Sequence, residues 1–196
     1  MNYLNEKKLV LASQSPRRKT LLELACIDLI IQVSNIDEST ISFTSPTQFV
    51  QDLAFLKAQA VSEAYPDSWI LGADTIVTID DQILGKPANR DDAVSMLNQL
   101  NNRTHQVYTG VCLYKHQNKK KIVQSVSTKV VFKSLTNKEI NWYVNTKEPY
   151  DKAGGYGIQG VGAFLVKKIY GSYTNVVGLP VCEVIQMLLQ LKFIQM

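Results

Sequence analysis

The sequence predicts an α/β protein whose mixed, twisted sheet is flanked by helices and bent into two lobes around a central cleft. Strand-like apolar runs alternate with helix-period segments from Leu9 to Leu191. Several of the helical segments open on a capping residue or a first-turn proline. A composition of 45% hydrophobic and 19% charged residues over 196 positions sets the scale, that of a single globular domain over residues 1–196.

Leu9 to Ala12 reads as a short buried strand. Ser15 then takes the N-cap position and Pro16 the first turn of a helix running through Leu21, Leu22 and Leu24. Leu29 to Val33 is a second short strand, followed by a polar stretch from Ser34 to Ser45. Ser45-Pro46-Thr47-Gln48 has the form of a capping box and opens a helix through Val50, Leu53, Ala54, Lys57 and Val61. Trp69 to Ile79 is strand-like, and Asn89 caps a helix through Ala93, Met96, Leu97 and Leu100. Gln106 to Tyr114 and Ile122 to Phe132 form antiparallel partners joined at the run Lys119 to Lys121. Thr136-Asn137-Lys138-Glu139 is a second capping box, opening a helix to about Asn145. Val161 to Ile169 is again extended, and Pro180 to Leu191 is an amphipathic final helix. The chain shows no linker, low-complexity segment or internal repeat.

The net charge of +4 is spread along the chain, and its densest run follows His116 at a hairpin tip, so no nucleic-acid partner is expected. Cys26, Cys112 and Cys182 are odd in number, far apart and in apolar contexts, with no CxxC pair. They read as buried, reduced thiols rather than disulfide or zinc ligands. Glu6 precedes any apolar run, which argues against a signal peptide. No stretch approaches the ~20 apolar residues a membrane span needs. A soluble, cytoplasmic protein without a membrane partner is the expectation, with homodimerisation left open.

Chemistry enters first at LASQSPRR, Leu11 to Arg18. Arg17, Arg18 and Lys19 fall in a first helical turn, where cations oppose the helix dipole and cost a few tenths of a kcal/mol each, roughly. A bound polyanion reverses that sign, because helix-terminal N–H groups and arginine forks both suit phosphate. The bland alternative is a solvated basic helix start. Asp74 is the second anomaly, a carboxylate inside the apolar run Trp69 to Val77. Buried alone it would cost several kcal/mol, roughly, so a strand-end acid facing a metal or an activated water is attractive, against a mere turn cap. Thr75 beside it offers a hydroxyl. Asp37-Glu38 supplies further carboxylates that, with Asp74, could hold Mg²⁺ or Mn²⁺.

Gly85-Lys86-Pro87 sets a lysine on a rigid turn, where glycine permits close backbone approach and the ammonium acts as a point charge for phosphate. Lys57 borders an apolar helix face; snorkelling to solvent is its ordinary behaviour, phosphate contact the alternative. In Asp151 to Gly160, DKAGGYGIQG, four glycines in ten residues suit a loop wrapped closely around a small molecule. Gln159 carries donor and acceptor on one amide, matching the edge of a nucleobase. The GxxxxGK[ST] pattern of a P-loop is absent.

Taken in order, LASQSPRR, Asp37-Glu38, ADT (73–75), GKP (85–87), YTG (108–110), EPYDKAGGYGIQG (148–160) and NVVGLP (175–180) resemble the Maf family of nucleoside triphosphate pyrophosphatases. The glycine-rich segment is similar to that of the subgroup acting on dTTP and UTP, and no functional position departs from the family pattern. The resemblance implies a Maf/ITPase-like fold and hydrolysis between the α- and β-phosphates with a divalent metal, Mg or Mn. It implies Asp74 as general base or metal-linked activator of water, with Glu38 helping to hold the metal. Arg17, Lys57 and Lys86 would neutralise the triphosphate, Ser13 and Arg18 would line the same pocket, and Arg17, Thr75 and Gln159 match the specificity positions. A nucleotide-binding regulator of cell division or septum formation, without turnover, is the rival reading. The acid set Glu38 and Asp74 argues against it.

Overall fold

The computed structural model describes residues 2–3 and 8–195; Glu6, on which the reading of the N-terminal run rests, lies outside them. In chain order the elements are β1 (Asn2–Tyr3), β2 (Leu9–Leu11), α1 (Pro16–Leu24), β3 (Leu29–Ile31), α2 (Pro46–Ser62), β4 (Ile70–Ile79) and β5 (Gln82–Leu84). They continue as α3 (Arg90–Leu100), β6 (Thr104–Lys115), β7 (Lys120–Phe132), α4 (Asn137–Val144), β8 (Val166–Tyr170), α5 (Tyr173–Val177), α6 (Val181–Gln190) and β9 (Ile194–Gln195). Short 3₁₀ segments lie at Glu38–Thr40, Pro149–Asp151, Ala153–Gly155 and Gly160–Leu165. The mixed α/β class read from the sequence is the one observed.

The chain divides into two compact units, residues 1–74, 109–126 and 178–196 in the first, 75–108 and 127–177 in the second. In the first unit β2 lies parallel to both β3 and β4, with Val10 opposite Ile30 on one side and Ile70 on the other. Both neighbours being parallel explains why Leu9, Val10 and Leu11 are all apolar and fully buried rather than alternating. β6 follows β4 in the strand order and β7 follows β6. β1 pairs antiparallel with β9.

Helix α2 is drawn onto the sheet by missing side chains. A Cβ at Gly72 of β4 would stand 2.0 Å from the Ala54 carbonyl oxygen, and one at Gly110 of β6 would stand 2.1 Å from that of Val50. Ala54, Lys57 and Ala58 share one helix face, and Gly72 and Asp74 share one strand face. The contact that seats Ala54 and Ala58 over Gly72 therefore delivers Lys57 to Asp74. Val10, Ala12, Val61, Ile70, Cys112 and Tyr114 complete that core.

The second unit has its own core, in which Val77, Leu97, Val107, Phe132, Tyr143, Tyr156 and Leu165 pack together. Here β5 runs antiparallel to β4 and β8 antiparallel to β7. The β4–β5 hairpin turns through Asp80 and Asp81, both at positive φ (49° and 61°), a conformation acidic side chains tolerate.

Four expectations need correction. The span 161–169 is not extended throughout: Gly160–Leu165 is 3₁₀ and only Val166–Tyr170 is strand. The Ser45 box is half formed, since Ser45 Oγ accepts from the Gln48 amide (3.2 Å) while the Gln48 side chain donates forward to Asp52 (2.8 Å). Ser15 occupies the N-cap of α1 but its side chain makes no cap bond. Only Cys112 is buried, whereas Cys26 and Cys182 are exposed; all three are free thiols. The Asn89 cap and the Thr136 box form as read, with Asn89 Oδ1 accepting from Asp92 N–H and Thr136 and Glu139 bonding reciprocally.

Candidate active site

The first unit gathers Ser13, Arg18, Glu38, Lys57 and Asp74. β2 ends at Leu11, and the turn that follows carries Ser13, whose Oγ accepts from the Ser15 amide (3.2 Å) and from Arg18 Nη1 (3.1 Å). Arg18 also donates to the Ala73 carbonyl (2.8 Å) and, through Nε, to that of Gly178 (2.9 Å). This fork ties the start of α1 to β4 and to the segment entering α6. Burial pulls the Arg18 pKa below its ordinary value; the Asp74 carboxylate opposes the shift, Arg17 adds to it and Glu38 opposes it again. Arg17 stands half-buried one residue earlier on α1.

Asp74 is 8% exposed and sits in the middle of β4, not at a strand end as expected. Its cost of burial is met by Lys57, whose Nζ lies 2.6 Å from Asp74 Oδ1 and 2.7 Å from Glu38 Oε1. The Lys57 side chain is only 12% exposed, so it does not snorkel to solvent. Removing one partner of such a buried pair costs about 3–5 kcal/mol. The adjacent acids Asp37 and Glu38 divide their work. Asp37 Oδ1 accepts from the Ser39 amide (3.0 Å) and hydroxyl (2.6 Å), capping the short 3₁₀ turn, and these bonds lower its pKa. Glu38 alone reaches the lysine.

Two carboxylate oxygens thus converge on one cation. Among the described residues no group of three or more His, Cys, Asp or Glu is arranged to hold a metal. A pair of carboxylates suits a hard divalent ion that keeps waters and takes the rest of its ligands from phosphate. The donor set fits Mg²⁺ or Mn²⁺ in that restricted sense.

Thr75, Lys86 and Gln159 belong to the second unit. Thr75 is half-buried on β4, while Lys86 is exposed on the loop after β5. A Cβ at Gly85 would meet no protein atom within 4 Å, so no neighbouring protein group demands a glycine there. The Gly85 carbonyl accepts from the Gly154 amide (2.9 Å), joining the lysine loop to the glycine-rich segment. Gln159 is exposed, and its side chain makes no cap bond to the 3₁₀ turn that follows.

The glycine-rich segment and the turn after it close around a carboxylate just ahead of the segment. Glu148 Oε2 accepts from the Val161 amide (2.9 Å), and Oε1 accepts from the Gly162 amide (2.8 Å) and the Tyr143 hydroxyl (3.2 Å). A Cβ at Gly160 would stand 2.8 Å from Oε2, and one at Gly162 would stand 2.9 Å from Oε1. At its other end Tyr156 is buried, its hydroxyl 2.6 Å from Nε2 of the equally buried His105. Burial pushes the His105 pKa down to about 3 and the Tyr156 phenol well above its usual range. A neutral His105 and the neutral phenol share this one hydrogen bond. Sequence reasoning missed Glu148 and His105. Their signals were a glutamate abutting Pro149 at the head of the glycine segment, and a histidine two residues from Val107 on one strand face.

The family model described as Maf-like protein matches residues 8–191. A dTTP/UTP pyrophosphatase of Bacillus cereus (strain G9842) is 50% identical over 184 residues, covering 94% of this chain and 95% of that protein. One of Desulfotalea psychrophila is 49% identical over 187 residues, covering 95% and 96%, and one of Syntrophus aciditrophicus is 46% identical over 182 residues, covering 93% and 89%. Among solved structures, the Ham1 protein of Staphylococcus aureus superposes with a TM-score of 0.54 at 15% identity, over 94% of this chain and 98% of that one. That last likeness is one of fold.

Proposed function

The chain belongs to the Maf-like family, and on that premise we propose that it is a nucleoside triphosphate diphosphatase acting on dTTP and UTP. Water attacks the α-phosphorus, the bond to the bridging oxygen breaks, and the nucleoside monophosphate and pyrophosphate leave. The observation that carries this reading is the buried Asp74 carboxylate held beside Lys57 and Glu38, in a chain whose near full-length relatives bear that activity in their names. Asp74 takes the proton of the attacking water. Arg17, Lys57 and Lys86 offset the triphosphate charge, Ser13 and Arg18 bind the substrate, and Arg17, Thr75 and Gln159 select the nucleotide. Glu38 and Asp74 would hold the divalent ion, which when bound stabilises charge developing on the pyrophosphate.

A cytoplasmic setting is part of the proposal. It is supported by three free thiols, which suit a reducing compartment. In addition, no helix of the described residues is long and apolar enough to cross a membrane.

The test is a panel of nucleoside triphosphates with Mg²⁺ or Mn²⁺, scored for released pyrophosphate. Release from dTTP and UTP that stops in excess chelator is expected. Orthophosphate as the product, or binding with no turnover, overturns the reading, and the second outcome returns the protein to a regulatory role.

A further inference from the structure

We propose that Glu148 is a specificity-positioning residue: its carboxylate clasps the glycine-rich segment and thereby fixes the backbone from which Gln159 projects. The proposal rests on the assignment of Gln159 as a selecting residue and deepens it.

The geometry is that of an anion held in a backbone nest. Glu148 stands just ahead of the segment, and its two oxygens take the amides of Val161 and Gly162, two consecutive N–H groups that begin two positions after Gln159. Charge-assisted bonds of this kind are roughly twice as strong as neutral ones. Each oxygen also excludes a side chain: Cβ atoms at Gly160 and Gly162 would fall 2.8 and 2.9 Å from them. Gly160 has φ of +68° besides, so the chain turns sharply between Gln159 and the clasped amides only because no side chain is there. Gly160 thus answers to Glu148, while a Cβ at Gly162 would first meet the Gly157 carbonyl oxygen (2.4 Å) and the Tyr143 hydroxyl (2.7 Å), atoms of the residues that seat the clasp.

The clasp is seated from below as well. Tyr143 on α4 donates its hydroxyl to Oε1 (3.2 Å) and receives the Gly157 amide (3.2 Å), so one buried phenol touches both the carboxylate and the segment before Gln159. Lys152 Nζ donates to the Glu148 carbonyl (2.6 Å), fixing the backbone of Glu148 itself. Gln159, by contrast, is exposed and makes no cap bond. The loop is held by Glu148 and its partners, which leaves the Gln159 amide unneeded for bracing. A selecting group works by having its position fixed before the ligand arrives.

Glu148→Gln tests this, since an amide keeps the size but offers one acceptor oxygen where two N–H groups point. Hydrogen exchange at the Val161 and Gly162 amides is expected to quicken at least tenfold. Discrimination of UTP over CTP in kcat/KM should fall at least tenfold, mainly through KM. Should that variant fold poorly, Gly160→Ala attacks the clasp from the other side with the carboxylate intact, and the same loss of discrimination is expected. A lower melting temperature with unchanged amide exchange and an unchanged UTP:CTP ratio overturns the proposal, leaving Glu148 a brace of the fold. If the wild-type protein releases no pyrophosphate from any triphosphate, the activity reading fails instead. The exchange measurement then still decides whether the clasp exists.

Discussion

Asp74→Asn keeps the shape of the side chain and removes both the proton acceptor and the charge facing Lys57 Nζ at 2.6 Å. Turnover should fall by about 10²–10⁴-fold, the usual worth of a general base, with substrate still bound in equilibrium measurements. Near wild-type turnover would move the base elsewhere, with Glu38 next in line. The sequence already marked Asp74 as a carboxylate needing a partner, because charge inside an apolar strand is conspicuous. It did not show that Lys57 was that partner, since a lysine bordering an apolar helix face looks the same whether it snorkels or turns inward. Nor could it divide Asp37 from Glu38. That difference lies in which carboxylate meets the Ser39 amide and which meets Lys57, and neighbouring acids in a loop carry no pattern to reveal it.

Elements explain why those residues meet. Helix α2 can approach β4 and β6 because Gly72 and Gly110 present no Cβ to its backbone. Gly72→Ala would place a methyl 2.0 Å from the Ala54 carbonyl oxygen. Overpacking commonly costs about 1–3 kcal/mol, and the upper end applies here because the obstacle is backbone. A lowered urea midpoint is expected, together with weaker activity as Lys57 moves; an unchanged midpoint would show that the helix is less closely seated. Strand β6 brings His105 under Tyr156, and this pairing has a pH signature. The folded His105 pKa of about 3 lies below its ordinary value of 6.5. Between those values the unfolded chain binds a proton that the folded chain does not, so stability falls as pH falls through that window. The slope reaches at most about 1.4 kcal/mol per pH unit. Denaturant melts of wild type and His105→Gln from pH 7 to pH 4 should therefore converge as pH drops; a constant gap would mean that His105 titrates normally. Capping and period made most helices legible from sequence. The 3₁₀ stretch Gly160–Leu165 was not, because its Val161 and Gly162 amides are satisfied by Glu148, beyond the reach of a helical or strand repeat, and periodicity sees only local pattern.

On the scale of the whole molecule, the proposed acids are carried by one compact unit and two of the three proposed selecting residues by the other, Arg17 staying with the acids. Glu38, Lys57 and Asp74 lie in the first and Thr75, Lys86 and Gln159 in the second, so the chain passes from one set to the other across the Asp74–Thr75 peptide. Damage to the two sets should have different signatures. Asp74→Asn lowers turnover on every nucleotide alike, whereas Gln159→Glu should change which nucleotide is preferred. Uracil and thymine present an acceptor at O4 and a donor at N3, which one glutamine amide can match with its N–H and its oxygen. Cytosine reverses both, and a site that leaves those groups unpaired penalises it by a few kcal/mol, roughly. A glutamate at position 159 offers acceptors only; it keeps the bond to N3–H, loses the one to O4 and gains one to the cytosine amino group. The UTP:CTP ratio of kcat/KM should therefore fall by about tenfold or more. If Gln159 acted only by bracing the loop, activity would drop uniformly and the ratio would hold. That alternative has little to rest on structurally: the amides after residue 159 are taken by Glu148 and the Gln159 side chain makes no cap bond. An unchanged ratio would shift base selection to Thr75 and Arg17, while the diphosphatase assignment would stand on pyrophosphate release alone.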